Sequence, residues 1–597
     1  MPVRGTTQPS ILIVPALRVG EGSGHLKRCL GLARALKGRA AVHIEGHPPS
    51  PLGSDAPAAT GATSAIEAFR DQLDVPLVGQ HELQCEQPPA WQLVVLDRKH
   101  TTAADLKRFS VYGPVVLLDD SGQARQYAPY TIDLLPGSQH RSRANVTSVA
   151  LLDLPAGPRG PLRFPFQKVL VTFGGEDPAG LSLVLLECLV KKGFFRPQDL
   201  SVVEGPLFRP TAWPSGVRII RRPPDLKHLL SDFDCVFTSF GLTCFEALAA
   251  GVPVILLNPT KYHRRLSRRA KLPEVGVGRP KVRKLGRMLR QRAFFCRMLD
   301  QSRELRGDQE RLPELLLSLD PQQADECPCC GSRFDAAAGR FRHKSYFRCR
   351  QCCLIYLVGF RRQQNRYGSS YFFEEYRRQY GRTYLEDFEH IKTLSFKRLD
   401  AMRRLLPREG SIRLLDVGCA YGAFLDAARE RGFDGCGVDV SEEAITYLTN
   451  TLKIAGQVAS FEESEHHQGT AFDAVTMWYV LEHFRNPALA LRTANRSLRQ
   501  GGVFAFSTPN ATGISSLRDP DGFLENSPED HCTLWSPRAV RRLLPRYGFR
   551  VERVVVTPHP QRFPAGLGKI PGCAQCASRL FGLGDTFAVY ATKSREV

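Results

Sequence analysis

Short runs of consecutive apolar, largely β-branched residues recur along this chain, and each is followed by a stretch with helical periodicity. The first series reads ILIVPAL (11–17), AVHIEG (41–46), LVVLD (93–97) and VVLLDD (115–120). After a Pro/Gly-rich stretch at 155–164 it restarts with KVLVTFGG (168–175), LSVVEGP (200–206), VRIIRRP (217–223), CVFTSFG (235–241) and PVILLN (253–258). Strands that are apolar on both faces need cover on both, which predicts parallel sheets flanked by helices. Two such blocks in tandem enclose a cleft. A third block opens at RLLDVG (413–418) and continues through DGCGVDV (434–440), FDAVTMWYV (472–480) and GGVFAFSTP (501–509). It closes with RVERVVVT (550–557) and DTFAVYATK (585–593), which lack a long helix between them and are expected to pair antiparallel at the sheet edge.

At about 150 residues per domain, 597 residues correspond to about four domains. The composition shifts place them at 1–154, 155–265 and 361–597, with a basic helical connector at 266–325 and a cysteine-rich module at 326–360. Of the net charge of +21, much is local: from 261 to 311, 17 Lys/Arg face 5 Asp/Glu, an excess of 12. A solvated helical segment accounts for such a run; an anionic sugar nucleotide, membrane headgroups or RNA are the partners it could otherwise meet. Aromatics are not interleaved through the run, which disfavours nucleic acid. The apolar run 11–17 is too short for a membrane span or secretory core, and the expectation is a cytoplasmic protein without a transmembrane segment.

Cysteines give the most specific local signal. Six of the 17 fall within 327–353, in the pattern C-x2-C, eighteen residues, C-x2-C. Paired knuckles at this spacing can set Cys327, Cys330, Cys349 and Cys352 tetrahedrally about a structural Zn2+, with Cys329 and Cys353 as spare thiols into which the register could slip. Cys573-x2-Cys576 is a lone pair near the C-terminus.

Three glycine turns follow strands in the first two blocks. Gly20-Glu21-Gly22-Ser23-Gly24-His25-Leu26-Lys27-Arg28 opens a helix, Phe173-Gly174-Gly175-Glu176-Asp177 follows the restart strand, and Gly241-Leu242-Thr243-Cys244-Phe245-Glu246 follows CVFTSFG. Glycines there let a backbone approach a ligand, and helix N-termini offer unpaired N–H groups to phosphate. Over roughly 10–265, the combination resembles the nucleotide-sugar hydrolases of pseudaminic acid biosynthesis. More distantly it resembles glycosyltransferases built from two Rossmann-like domains, the GT-B architecture. The resemblance implies that Gly24, Arg28, Gly174, Gly175, Gly241, Thr243 and Glu246 bind a UDP-sugar, Glu246 on the ribose. It also implies that His25 faces the anomeric carbon as a base. Asp97, at a strand end, is a candidate for orienting substrate.

In the third block, Asp416-Val417-Gly418-Cys419-Ala420-Tyr421-Gly422 lies between a strand and a helix, and Asp439 ends the next strand. A glycine turn that admits a nucleoside cofactor and a carboxylate for its ribose need that spacing. With F-D-A-V (472–475), V-L-E-H-F-R-N-P (480–487), G-G-V-F (501–504), S-T-P-N (507–510) and D-H-C-T-L-W-S (530–536), the segment 365–595 resembles class I S-adenosylmethionine-dependent methyltransferases. The knuckles followed by Tyr371 and Tyr376 resemble the N-terminal module of sugar methyltransferases. By this resemblance Asp416, Gly418, Ala420, Gly422 and Asp439 bind S-adenosylmethionine, residues 460–462 flank its adenine, and His483 and His531 are the candidate bases.

The expected fold class is therefore multidomain α/β: a GT-B pair, a zinc module and a methyltransferase domain. The expected function is bifunctional glycan biosynthesis, methyl transfer to a sugar or nucleotide-sugar joined to UDP-sugar hydrolase-like or glycosyltransferase-like chemistry. An RNA-binding methyltransferase with a non-catalytic GT-B-like module is the alternative.

Overall fold

The computed structural model describes residues 10–16, 24–44, 74–84, 90–136, 142–155, 161–205, 207–208, 211–223, 225–302, 310–322, 326–361, 376–377, 381–406, 410–462, 471–557, 576 and 580–597. The chain divides into two compact units, Met1–Asp320 and Pro321–Val597.

The first unit holds two sheets. Strands β1 (Ile11–Pro15), β2 (Ala40–Val42), β3 (Leu93–Asp97), β4 (Val115–Leu118), β5 (Tyr130–Asp133) and β6 (Val146–Thr147) form a fully parallel sheet ordered β2-β1-β3-β4-β5-β6. Strands β7 (Val169–Val171), β8 (Leu200–Glu204), β9 (Arg218–Arg221), β10 (Cys235–Thr238), β11 (Val254–Asn258), β12 (Glu274–Val277) and β13 (Arg279–Pro280) are ordered β13-β12-β11-β10-β7-β8-β9, and only β13 runs antiparallel. Every residue of β1, β3, β4, β7, β10 and β11 is buried, as unbroken apolar strands covered on both faces require.

One expected boundary moves. The stretch 266–325 is no free-standing connector, because β12 and β13 extend the second sheet. The Ser302 hydroxyl reaches the Leu248 carbonyl at 3.3 Å, and Phe295 is buried with its ring 5.0 Å from that of Phe166. The Leu319 carbonyl accepts from Gln92 Nε2 at 2.9 Å. A basic helix needs only a narrow apolar stripe to dock. In the helix Lys261–Arg269, Leu266 and Ser267 are buried while Lys261, Arg265, Arg268 and Arg269 stay exposed.

In the second unit, β14 (Ala336–Phe341), β15 (Lys344–Arg348) and β16 (Ile355–Gly359) follow and flank the cysteine knuckles. They are followed by β17 (Ile412–Val417), β18 (Phe433–Asp439), β19 (Ala455–Val458), β20 (Phe472–Trp478), β21 (Leu498–Pro509), β22 (Thr533–Leu534), β23 (Phe549–Thr557) and β24 (Thr586–Lys593). The large sheet is ordered β19-β18-β17-β20-β21-β24-β23, with β24 antiparallel to both neighbours, the arrangement expected for the last two strands. Chain order reverses at β17, between β18 and β20, and such a switch point opens a crevice at the strands' carboxyl ends.

The cysteine module is likewise not separate. A few short strands bury too little to stand alone, and here β16 pairs with β22 through Ile355 with Leu534 and Tyr356 with Thr533. Lys344 Nζ donates to the Glu525 and Ser527 carbonyls at 2.7 and 2.8 Å. Among the described residues no helix is long and apolar enough to cross a membrane.

Candidate functional site

The turn after β17 is shaped for a ligand that needs bare backbone. Gly418 has φ 68°, and a Cβ there would lie 2.4 Å from Val480 Cγ2; at Gly422, φ 84°, it would lie 2.4 Å from Leu448 Cδ1. Only glycine combines those angles with that clearance. Ala420 also takes a positive φ, 47°, and its N–H donates to Asp439 Oδ2 at 2.9 Å, while the Ser441 N–H donates to Oδ1 at 2.9 Å. Asp439 thus joins the end of β18 to the turn after β17. Burial raises its pKa against these N–H groups. Asp416 is fully buried and accepts from the Thr476 hydroxyl at 2.6 Å; burial pushes its carboxyl up to about 7, opposed by Thr476 and by the Arg398 charge.

Aromatic residues close one side. The Tyr384 ring lies tilted 5.8 Å from the Tyr421 ring and edge to face 5.3 Å from that of Tyr376, whose hydroxyl donates to Asp387 at 2.9 Å. Tyr371 lies outside the described residues. Phe461, of the expected adenine segment 460–462, is buried.

His483 and His531 meet edge to face, ring centroids 4.7 Å apart. Their surroundings differ. Burial opposes a charge on His483, but Asp530, 3.2 Å from Nδ1, and the neighbouring Glu482 raise its pKa. Burial and the His483 charge push His531 down to about 3, so it stays neutral at physiological pH. Burial also pushes Glu482 up to about 7. Glu482 and Asp530 escaped sequence reading, although both sit beside the histidines singled out.

The four expected cysteines converge. Sγ of Cys327 and Cys352 are 3.5 Å apart, and those of Cys330 and Cys349 are 3.4 Å apart. Thiolates on one zinc at about 2.3 Å stand about 3.8 Å from each other, so the quartet fits a tetrahedral ion with little movement. The register does not slip to the spare thiols. Gly331, at φ 67°, and Cys353, at φ 66°, each take the left-handed position closing a knuckle, and Arg542 Nη1 donates to Cys353 Sγ at 2.9 Å. Cys329 is buried, and its carbonyl accepts from the Tyr547 hydroxyl at 2.5 Å. Cys573 lies outside the described residues, and Cys576 is exposed.

In the first unit, residues 17–23 of the first glycine turn lie outside the described residues, but the helix Gly24–Ala35 places His25 and Arg28 at the end of β3. His25 Nδ1 donates to Asp97 Oδ1 at 2.6 Å, which leaves Nε2 as the acceptor. Arg28 Nε donates to Asp97 Oδ2 at 2.7 Å and Nη1 to Asp119 Oδ2 at 2.6 Å, so its guanidinium is held by protein carboxylates. Asp97 is fully buried and stays well below the carboxylate range: burial opposes its charge, but Arg28 and His25 outweigh it.

Gly241, Thr243 and Glu246 gather at the start of the helix Leu242–Ala249 after β10. Gly174, at φ 85°, follows β7. Burial raises Glu246, and the Lys27 charge, from the first sheet's helix, opposes that rise. Lys99 lies 5.0 Å from the Tyr262 ring. Lys27 and Glu246, one from a helix on each sheet, are thus close enough to interact electrostatically within this unit.

A largely parallel sheet with a glycine-only turn facing a strand-end carboxylate suits a nucleoside cofactor. Residues 388–554 match the family model described as Methyltransferase domain. The ubiquinone biosynthesis O-methyltransferase of Alkalilimnicola ehrlichii is 33% identical over 125 residues, 20% of this chain and 51% of that protein. That of Bordetella avium is 28% identical over 165 residues, 27% of this chain and 63% of that protein. The chain spans between about half and three-fifths of the length of these curated relatives. A solved SAM-dependent methyltransferase from Archaeoglobus fulgidus aligns at 18% identity and TM-score 0.28, covering 37% of this chain and 100% of that one. The C-terminal part of this chain carries a class I S-adenosylmethionine-dependent methyltransferase domain.

Proposed function

We propose that this protein transfers methyl groups from S-adenosylmethionine to a sugar or nucleotide-sugar, and that its first unit handles a UDP-sugar by hydrolase-like or glycosyltransferase-like chemistry. The observation that carries the first part is Asp439, fixed by two backbone N–H groups at the carboxyl end of β18 and facing the glycine turn of β17. The bound cofactor would supply an electrophilic methyl group. Gly418 and Gly422 would admit it, Asp439 would take its ribose hydroxyls, and Asp416 would sit near its cationic methionine end. His483, with Asp530 stabilising its charged form, is the better-placed proton acceptor; His531 is too weak a base for that role.

Asp439→Ala is expected to weaken cofactor binding by about ten- to a hundredfold, the range for losing hydrogen bonds to a charged group. Calorimetric titration reads this directly, and affinity within twofold of wild type would remove the assignment. Asp416 yields a pH signature. Its carboxyl is neutral below about pH 7 and anionic above, so affinity for the cationic cofactor should rise severalfold from pH 6 to 8. In Asp416→Asn that rise should vanish; a rise of the same size would exclude Asp416 as its source.

The cysteine quartet is assigned to a structural zinc ion, since four thiolates leave no open coordination position. In the first unit, His25 is assigned as the base. Its Nδ1 is engaged by Asp97, so Nε2 can take a proton from water or an acceptor hydroxyl. The deciding experiment incubates the full chain with a panel of nucleotide sugars and follows methyl transfer and UDP release separately. His25→Ala should abolish only UDP release. Methylation of none of the panel would overturn the sugar reading.

A further inference from the structure

The two histidines do not stand alone. One ligand atom from each of Glu482, His483 and His531 lies within 4.8 Å of the others. We propose that these three side chains bind a divalent cation that holds the methyl acceptor by a vicinal pair of oxygens. The proposal rests on the methyltransferase reading and names a further part of the same crevice.

Three features support it. Ligands about 2.1 Å from one ion stand at most about 4.2 Å apart, so closing the cluster needs shifts of only about half an ångström. Glu482 is 1% exposed, and neither of its carboxylate oxygens is satisfied by a hydrogen bond of ordinary geometry, although the Thr508 hydroxyl lies beside it. A buried carboxyl group without such bonds has its oxygens available to ligate a cation, which would hold it ionised. Asp530 stands 3.2 Å from His483 Nδ1. A carboxylate there orients an imidazole to ligate through its other nitrogen.

The place suits the chemistry. Val480, two residues before Glu482, packs on Gly418, so the cluster borders the cofactor turn. Two imidazoles and one carboxylate leave coordination positions open for substrate oxygens. His483 is then a ligand and not the proton acceptor: a hydroxyl bound at the ion becomes more acidic and releases its proton to solvent. The resulting oxygen donates an electron pair to the methyl carbon, the O–CH3 bond forms as the S–CH3 bond breaks, and that bonding pair stays on sulfur as a neutral thioether.

The test uses the full chain with its cysteine cluster loaded with zinc, titrated with Mn2+ alone and followed by electron paramagnetic resonance. Thiolates select zinc over manganese, so the titration reads the nitrogen and oxygen site. Wild type is expected to bind one Mn2+ with nitrogen hyperfine coupling from two imidazoles. Glu482→Gln and His531→Ala should each lose that signal, and Asp530→Asn should weaken it by about ten- to a hundredfold. Each variant's affinity for S-adenosylmethionine serves as the control for folding. Absence of bound Mn2+ in wild type, absence of the nitrogen coupling, or binding that survives both ligand substitutions overturns the proposal. The wild-type spectrum decides even if a variant does not fold. Mn2+ binding by wild type without cofactor binding would overturn the methyltransferase reading and leave the cation site standing.

Discussion

Cys352→Ser is expected to empty the cysteine cluster of zinc and to lower the unfolding midpoint of Pro321–Val597 by about 10 °C. Cys352 is fully buried, with its sulfur 3.5 Å from that of Cys327, so losing it leaves three thiols around a position shaped for four. Structural zinc binding is itself folding free energy, and loss of several kcal/mol translates at about 2–4 °C per kcal/mol for a domain of this size. The effect should not stay local. β16 pairs with β22, and β22 begins two residues after His531, so loosening the knuckles also frees the segment that holds His531. Methyl transfer should therefore fall with the midpoint. Metal analysis and thermal unfolding of the full chain read both effects. Cys329→Ser is the control, since its thiol lies outside the quartet and it should keep its zinc. Full zinc content and a midpoint within about 2 °C of wild type in Cys352→Ser would remove the cluster's assigned role.

Asp97→Ala is expected to cost the first unit about 3–5 kcal/mol, the range for breaking a buried ion pair. The carboxylate engages His25, Arg28 and the Cys29 thiol, and its removal leaves the largely buried Arg28 guanidinium with Asp119. The same pairing sets a pH dependence. Arg28 and His25 hold the folded pKa of Asp97 below its unfolded value, against the opposing effect of burial. The stabilisation is therefore present above about pH 4 and drains away as pH falls through the folded value. Denaturant unfolding of wild type should show that loss on acidification, and Asp97→Ala should show a flatter profile. Equal stability of the two proteins at pH 7 would contradict the structural role. Asp97→Asn should separate that role from orientation of His25: shape is kept, but Nδ1 loses its anionic partner.

Much of this was legible in the chain because the signals are local. Unbroken apolar runs such as LVVLD and RLLDV became buried central strands, since no arrangement other than cover on both faces satisfies them. Gly418, Gly422 and Asp439 could be named from spacing because one strand-turn-helix geometry connects them. Some short strands escaped. β12 (EVGV) and β19 (AGQV) mix glycine and polar residues, β13 is only Arg-Pro, and β19 is half exposed, so periodicity there carries no pattern to read. The boundaries at 266 and 360 were misplaced for a related reason. Composition changes there, but strand pairing does not stop.

The sequence by itself determined the class of the sheets, the four clustered cysteines and the glycine turns, because each is written in neighbouring residues whose local geometry allows few alternatives. Only the tertiary structure decided what those residues meet. Glu482 and His531 are 49 positions apart, and Arg28 is 69 from Asp97 and 91 from Asp119. Pairings at such separations are fixed by how helices and loops pack at the strands' carboxyl ends. That packing gave His483 a carboxylate partner, kept His531 neutral, and tied the cysteine module to the methyltransferase sheet through β16 and β22.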